Sequence, residues 1–213
     1  MTGVFVTFEG PEGAGKSTQI GMLARRLESQ GVAHVLTREP GGTPVADQLR
    51  RILADSEDGS IDARTELLIV LAARSHHVEQ VIRPALAEGK LVICDRYTDS
   101  TVCYQGAGRG IDRDTIGLLN EYATHGLAPD LTFLIDVDPT VGLARLAQSQ
   151  RKLDRFEREG ADFHRRVREA YRELAAETPQ RFVVLPGDRE AERISEDVFQ
   201  ALWGAFPTLT KDN

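Results

Sequence analysis

The chain has 213 residues, enough for one sizeable core and short for two independent domains. Hydrophobic and charged residues, at 41% and 28%, give an ordinary globular balance, and no apolar run approaches the roughly 18 residues of a membrane span, so a membrane class is excluded. A net charge of −7 argues against a generic nucleic-acid binder, which needs a broad basic surface, while arginines at Arg25-Arg26, Arg50-Arg51 and through 151–172 suit a small phosphorylated ligand.

Met1 to Phe8 has no basic leader and runs straight into a strand pattern, so a signal peptide is not expected. Strand one is 4–8. A Gly-rich turn follows, then a helix from Lys16 to about Gln30, closed by Gly31. Strand two is 32–37; Pro40-Gly41-Gly42 breaks the chain and Thr43 caps a helix through Leu53. Residues 64–88 read as one long helix ended by Gly89, and Leu91-Val92-Ile93-Cys94 as a buried strand. A helical hairpin fills 98–126. Strand four is 131–135, helices cover 139–149 and 161–177, strand five is 182–185 and a last helix spans about 190–203. Strands alternating with helices predict a single α/β domain, 1–213, with a parallel sheet covered on both faces. Cys94 and Cys103, the two cysteines, read as reduced buried thiols of a cytoplasmic protein.

Gly10-Pro11-Glu12-Gly13-Ala14-Gly15-Lys16-Ser17 matches G-x-x-x-x-G-K-[ST] at every fixed position, between a strand and a helix as the mechanism requires. Glycines let backbone N–H groups converge on phosphate, and the helix N-terminus adds partial positive charge. The expected ATP cradle runs from Gly10 through Thr18, with Lys16 on the β/γ-phosphates and the Ser17 hydroxyl on Mg²⁺. No Asn-Lys-x-Asp segment supports a GTPase. Arg38 ends strand two on the P-loop edge, where ligands of open α/β sheets bind. Asp95 ends strand three and is the candidate carboxylate for Mg²⁺, preferred over Asp136 because Arg96 adjoins it and suits a second phosphate. Asp138 before Pro139 reads as a helix cap. The arginine-rich stretch of about 149–160 reads as a lid that closes over ATP.

Together these residues resemble thymidylate kinase from about Val4 to about Trp203. The marks are Phe8-Glu9-Gly10 with the P-loop, Thr37-Arg38-Glu39-Pro40-Gly41-Gly42-Thr43, Ala72-Ala73-Arg74, Asp95-Arg96-Tyr97 with Tyr104-Gln105, Gly108-Arg109-Gly110-Ile111-Asp112 and Leu153-Asp154-Arg155-Phe156-Glu157. The resemblance implies a five-stranded sheet of order 2-3-1-4-5, a homodimer, and transfer of the γ-phosphate of ATP to dTMP. It implies that Arg38 and Arg96 hold the dTMP phosphate, Arg74 the thymine, Tyr104 the deoxyribose, and Ser100, Thr101 and Gln105 the base pocket. Glu9 is expected near the sugar and the metal. The P-loop carries no arginine between Gly10 and Gly15, so the catalytic arginine is expected from the lid, as in the bacterial type, among Arg151, Arg155 and Arg158. Val70 stands where many relatives place a phenylalanine stacked on thymine, which puts base stacking in doubt. Two alternatives are a kinase for dUMP, dCMP or a deoxynucleoside, and a nucleotide-binding switch without transferase activity. No nucleic acid or membrane partner is expected.

Overall fold

The structure is a computed structural model and describes residues 3–56, 60–148 and 153–209. Its strands are β1 (Val4–Glu9), β2 (His34–Arg38), β3 (Leu91–Asp95), β4 (Leu131–Asp136) and β5 (Phe182–Pro186). They pair in parallel in the order β2-β3-β1-β4-β5, the expected topology of a P-loop kinase fold. The helices are α1 (Lys16–Ser29), α2 (Pro44–Asp55), α3 (Ala63–His77), α4 (Arg83–Ala87), α5 (Thr98–Thr101), α6 (Arg113–Thr124), α7 (Pro139–Gln148), α8 (Ala161–Glu177) and α9 (Ala191–Ala205).

Strand alternation sorts the core into two layers. Val6, Phe8, Ile93, Phe133 and Ile135 face α1 and α9, packing on Leu23, Leu27, Val198 and Leu202. On the other side, Phe5, Val92 and Cys94 meet Val78, Ile82 and Tyr97, while Leu134 meets Tyr104, Phe163 and Tyr171. Burying each large apolar side chain contributes about 1.5–3 kcal/mol. Glu9 lies on the second side, which decides its surroundings below.

Two boundaries differ from the expected ones for local reasons. Strand two begins at His34 because Val32 belongs to the end of α1. The Val32 N–H bonds the Leu27 carbonyl at 3.0 Å and the Gly31 N–H bonds Glu28 at 3.1 Å, a Schellman close with Gly31 at φ 67°. The expected single helix over 64–88 is α3 and α4 joined by a π-helical segment, Val78–Ile82. Pro84 has no N–H to give and its ring crowds the carbonyl four residues back, so the wider turn accommodates it. A second π segment, Val102–Gly108, continues α5 within the expected hairpin. Among the described residues no helix is long and apolar enough to cross a membrane. Cys94 and Cys103 are both buried and free.

Candidate active site

Strand register brings the site together. Phe8 on β1 and Arg38 on β2 both pair with Asp95 on β3, so the P-loop, Arg38 and Asp95 leave the sheet along one edge. A cavity of about 820 Å³ opens there, at the large end for a ligand cleft. The cradle residues Glu12 to Thr18 line one end of it, and Val70, Arg74, Ser100, Thr101, Tyr104 and Gln105 line the other; Arg38, Asp95 and Arg96 also line it.

The P-loop conformation is forced. Gly13 has φ 68°, and a Cβ there would lie 2.1 Å from the Gly142 carbonyl oxygen. Gly15, at φ 99°, caps α1 without a side-chain acceptor. The first N–H groups of α1 therefore point at the cavity without a capping side chain, which is an anion site. Lys16 is only 7% exposed, and its Nζ donates to the carbonyls of Gly10 and Pro11, both at 3.0 Å. Burial and the neighbouring Arg96 push its pKa down, against the pull of Glu12. An incoming phosphate offers this ammonium the negative charge that it lacks.

Ser17 Oγ donates to Asp95 Oδ2 at 3.3 Å, while Asp95 Oδ1 is buried without a hydrogen-bond partner among the described residues. A hydroxyl beside a carboxylate oxygen that still wants a cation fits Mg²⁺, which typically takes one or two protein ligands and completes its shell with phosphate and water. No cluster of three or more acidic, histidine or cysteine side chains suited to a metal occurs among the described residues. Glu9 does not face this place. It is completely buried and accepts from the Tyr97 N–H (2.7 Å), Ser100 Oγ (2.6 Å) and Tyr171 Oη (2.7 Å). Burial and nearby Asp99 raise its pKa to about 7, against Arg96 and the two hydroxyls. Glu9, expected near the sugar and the metal, lies beneath Ser100 and Tyr171, because the β1 alternation turns it under the sheet edge. Asp138 is the cap expected of it, accepting from Thr140 N at 2.9 Å.

Arg96 is the best-held cation of the site. Its Nη1 donates to Gly10 O, Ser100 Oγ and Tyr171 Oη at 3.1–3.2 Å, and its Nη2 to Glu12 Oε1 at 2.7 Å and Tyr104 Oη at 3.0 Å. Its backbone sits at φ 73°, in the left-handed region. Glu12 Oε1 also accepts from Tyr104 Oη at 2.8 Å. Burial alone would raise the Glu12 carboxyl, but Arg96, Lys16 and Tyr104 outweigh it and hold the pKa down at about 2. Glu12 therefore rests as an anion on the guanidinium. The motif marked Glu12 as part of the cradle; its carboxylate contact with Arg96 and Tyr104, like that of Tyr171, has no signal in the local sequence.

Arg74 is 1% exposed. Its Nε donates to Glu39 Oε2 at 2.7 Å, Nη1 to Thr101 Oγ1 (2.8 Å) and Asn120 Oδ1 (2.6 Å), and Nη2 to the Tyr97 carbonyl (2.9 Å). His77 lies on the other Glu39 oxygen at 2.9 Å and on Thr37 Oγ1 at 2.6 Å. This accounts for the Arg-Glu-Pro-Gly-Gly string. Glu39 is the buried counter-ion of α3, and Gly42 at φ 87° passes so close that a Cβ would lie 2.6 Å from the His77 ring. The turn thereby fixes where Arg38 stands, exposed and in a 3.4 Å contact with Asp47. Val70, one helical turn before Arg74, is 6% exposed on the cavity wall.

In the expected lid, Asp154, Phe156 and Glu157 line the cavity, but Arg155 does not. It is 5% exposed and turned away, with Nη2 donating to the Ile61 carbonyl at 2.7 Å and 3.2 Å from Glu66 Oε2. Arg151 lies outside the described residues. Arg50, one of the arginines expected to suit a phosphorylated ligand, lines the cavity, as do Arg145 and Arg189, which the sequence reading passed over; Arg145 donates to Gly187 O at 2.9 Å, beside the P-loop.

A family model described as thymidylate kinase matches residues 8–198. A thymidylate kinase of Pelobacter propionicus is 51% identical over 201 residues, covering 92% of each chain. One of Ectopseudomonas mendocina is 51% identical over 198 residues, covering 93% of this chain and 94% of its own. A crystal structure of thymidylate kinase from Ehrlichia chaffeensis superposes with a TM-score of 0.78 at 36% identity, covering 95% of this chain and 99% of that one. Matched by the family model over residues 8–198 and by relatives of its own length at about half identity, the chain belongs to the thymidylate kinase family.

Proposed function

We infer that the chain is an ATP-dependent nucleoside-monophosphate kinase that transfers the γ-phosphate of ATP to dTMP, giving dTDP and ADP. One observation carries this reading: a P-loop and a partly buried guanidinium, Arg96, share one cavity with the Ser17–Asp95 hydroxyl–carboxylate pair. A switch that only binds nucleotide needs no second phosphate clamp.

The acceptor is a phosphate monoester, largely dianionic at neutral pH because its second pKa is about 6. It needs no general base. The barrier is repulsion between two polyanions and their alignment, so the chain's contribution is cations and positioning. Lys16 and the N–H groups of the P-loop bind the ATP phosphates. Arg96 and Arg38 bind the acceptor phosphate, with Glu12 yielding part of its hold on Arg96. Arg74 and Gln105 meet the base, and Tyr104 bounds the sugar. Ser17 and Asp95 would hold Mg²⁺, which supplies charge neutralisation on the donor phosphates. Packing of the 153–159 segment over the cavity excludes water, the competing acceptor. Arg155 is bound to Ile61 and Glu66 and does not line the cavity, so the arginine for the moving group is sought elsewhere in the lid.

A homodimer in the cytoplasm is part of the same reading. Leu68 on α3 and Leu118 and Tyr122 on α6 are 54%, 73% and 81% exposed on helices that pack together, an apolar face suited to a second copy. Light scattering at graded concentrations tests it. A coupled ADP-release assay with dTMP, dUMP, dCMP and no acceptor tests the reaction: dTMP is expected to give the highest kcat/KM, and ADP formation independent of any acceptor would overturn the reading.

A further inference from the structure

Glu66 is a fully buried carboxylate that the reaction scheme above does not use. It stands on α3, one turn before Val70 and two before Arg74, and thus on the same face of the helix. Its Oε1 accepts from Gln105 Nε2 at 2.9 Å, and Arg109 Nε lies 3.2 Å from both of its oxygens. Its Oε2 is also 3.2 Å from Arg155 Nη2. Two guanidinium groups from separate loops therefore converge on one buried anion. Arg109 also reaches Glu159 at 2.6 Å, at the far end of the same segment.

That segment is stiff within itself. The Asp154 N–H bonds Glu157 Oε2 at 2.9 Å and the Glu157 N–H bonds Asp154 Oδ1 at 3.0 Å, a reciprocal box. A stiff turn moves as one piece, so its position over the cavity follows from its fixed points. Phe156 rests edge-on against Tyr104, with ring centroids 5.9 Å apart. Arg155 is the charged fixed point. Its Nη1 is buried without a hydrogen-bond partner among the described residues, a cost borne only while an anion holds the group inside.

We propose that Glu66 is a positioning residue of the phosphoryl transfer, a latch whose buried carboxylate holds Arg155, and with it residues 153–159, down over the cavity. Gln105 lines the cavity and donates to the same carboxylate, so the latch is tied to the acceptor wall. Arg155 is by this assignment an anchor and not the cation on the moving phosphoryl group. The proposal rests on reading the segment as a lid.

The test compares wild type, Glu66→Gln, Arg155→Met and the double variant. Hydrogen–deuterium exchange of peptides spanning 153–159 is measured with and without ATP and dTMP, alongside kcat, both KM values and acceptor-independent ATP hydrolysis. The expected result is the same phenotype for both single variants. Lid exchange rises about tenfold, kcat falls by up to about 10²-fold, as for misplacement at a distance, and KM for dTMP changes little. The double variant is no worse than the worse single one, because both break one contact. If Arg155→Met loses about 10³-fold in kcat with normal lid exchange while Glu66→Gln keeps wild-type kinetics, Arg155 acts on the phosphoryl group and the latch is refuted. If Glu66→Gln does not fold, Arg155→Met decides alone: unchanged lid exchange overturns the proposal. If wild-type exchange at 153–159 does not respond to ATP and dTMP, the lid reading itself fails, a result distinct from loss of the latch.

Discussion

Between Gly10 and Thr18 the donor half of the cavity works with backbone: glycines, N–H groups and one lysine, contiguous in the chain. Across the cavity, the acceptor half works with charged side chains from separate elements, partly buried for Arg96 on Glu12 and fully so for Arg74 on Glu39 and for Glu9 under Ser100 and Tyr171. The first design costs little to fold, since its backbone N–H groups wait for the ligand at the cavity and its lysine rests on two carbonyls of the loop itself. The second takes ions out of water and repays that only where every partner is present. The donor site should therefore fail through chemistry when altered, and the acceptor site through stability and selectivity.

That contrast can be broken, beginning with the largest effect. Lys16→Ala should lower kcat by about 10³-fold or more while melting near the wild-type temperature; normal turnover by folded protein would refute the P-loop assignment. Arg74→Met should instead cost about 3–5 kcal/mol of stability in urea unfolding, because Glu39 is left buried without its guanidinium. Should it unfold like wild type and lose only dTMP binding, the two halves would not differ as described. Arg96→Ala should weaken dTMP by about 2–5 kcal/mol in calorimetry and ATP far less; equal losses would contradict the division.

Smaller effects sharpen the same contrast. The Glu9 carboxyl, raised from an ordinary 4.5 to about 7, holds its proton more tightly folded than unfolded. Its contribution to stability is therefore present below pH 4.5 and falls away as pH rises to about 7. Glu9→Gln should flatten that slope, and denaturation series at pH 5 and pH 7.5 would show it; an unchanged slope would mean that Glu9 is already ionised. Val70→Phe should tighten dTMP by about 1 kcal/mol, the low end of base–aromatic stacking. Loss of binding instead would show a wall repacked around valine.

The same division explains what was legible in the sequence. The P-loop, the Thr43 cap and the Gly31 close are written within a few adjacent residues, so pattern alone recovers them. Alternating apolar strands give the parallel sheet. The order of its strands and the acceptor residues other than Arg38 and Arg96 came from resemblance, because Arg74 meets Glu39 across 35 positions and Tyr171 meets Glu9 across 162. Nothing near Glu66 announces that it faces two arginines, and the Leu153-to-Arg158 charge run gives no hint that Arg155 points inward. The π segment at Val78 was legible in principle, through Pro84.

The left-handed backbone at Arg96 has a consequence for how this chain can change. A non-glycine residue held there carries about 1–3 kcal/mol of conformational strain. Glycine at that position would relax the main chain, but it would leave Glu12 without its guanidinium and empty the clamp. Selection for foldedness alone thus sets relief of strain against loss of the Glu12 pair, whereas selection for turnover keeps the guanidinium where it is. The position is a gauge: a homologous gene that has lost its Arg96 counterpart to glycine has stopped being kept for catalysis.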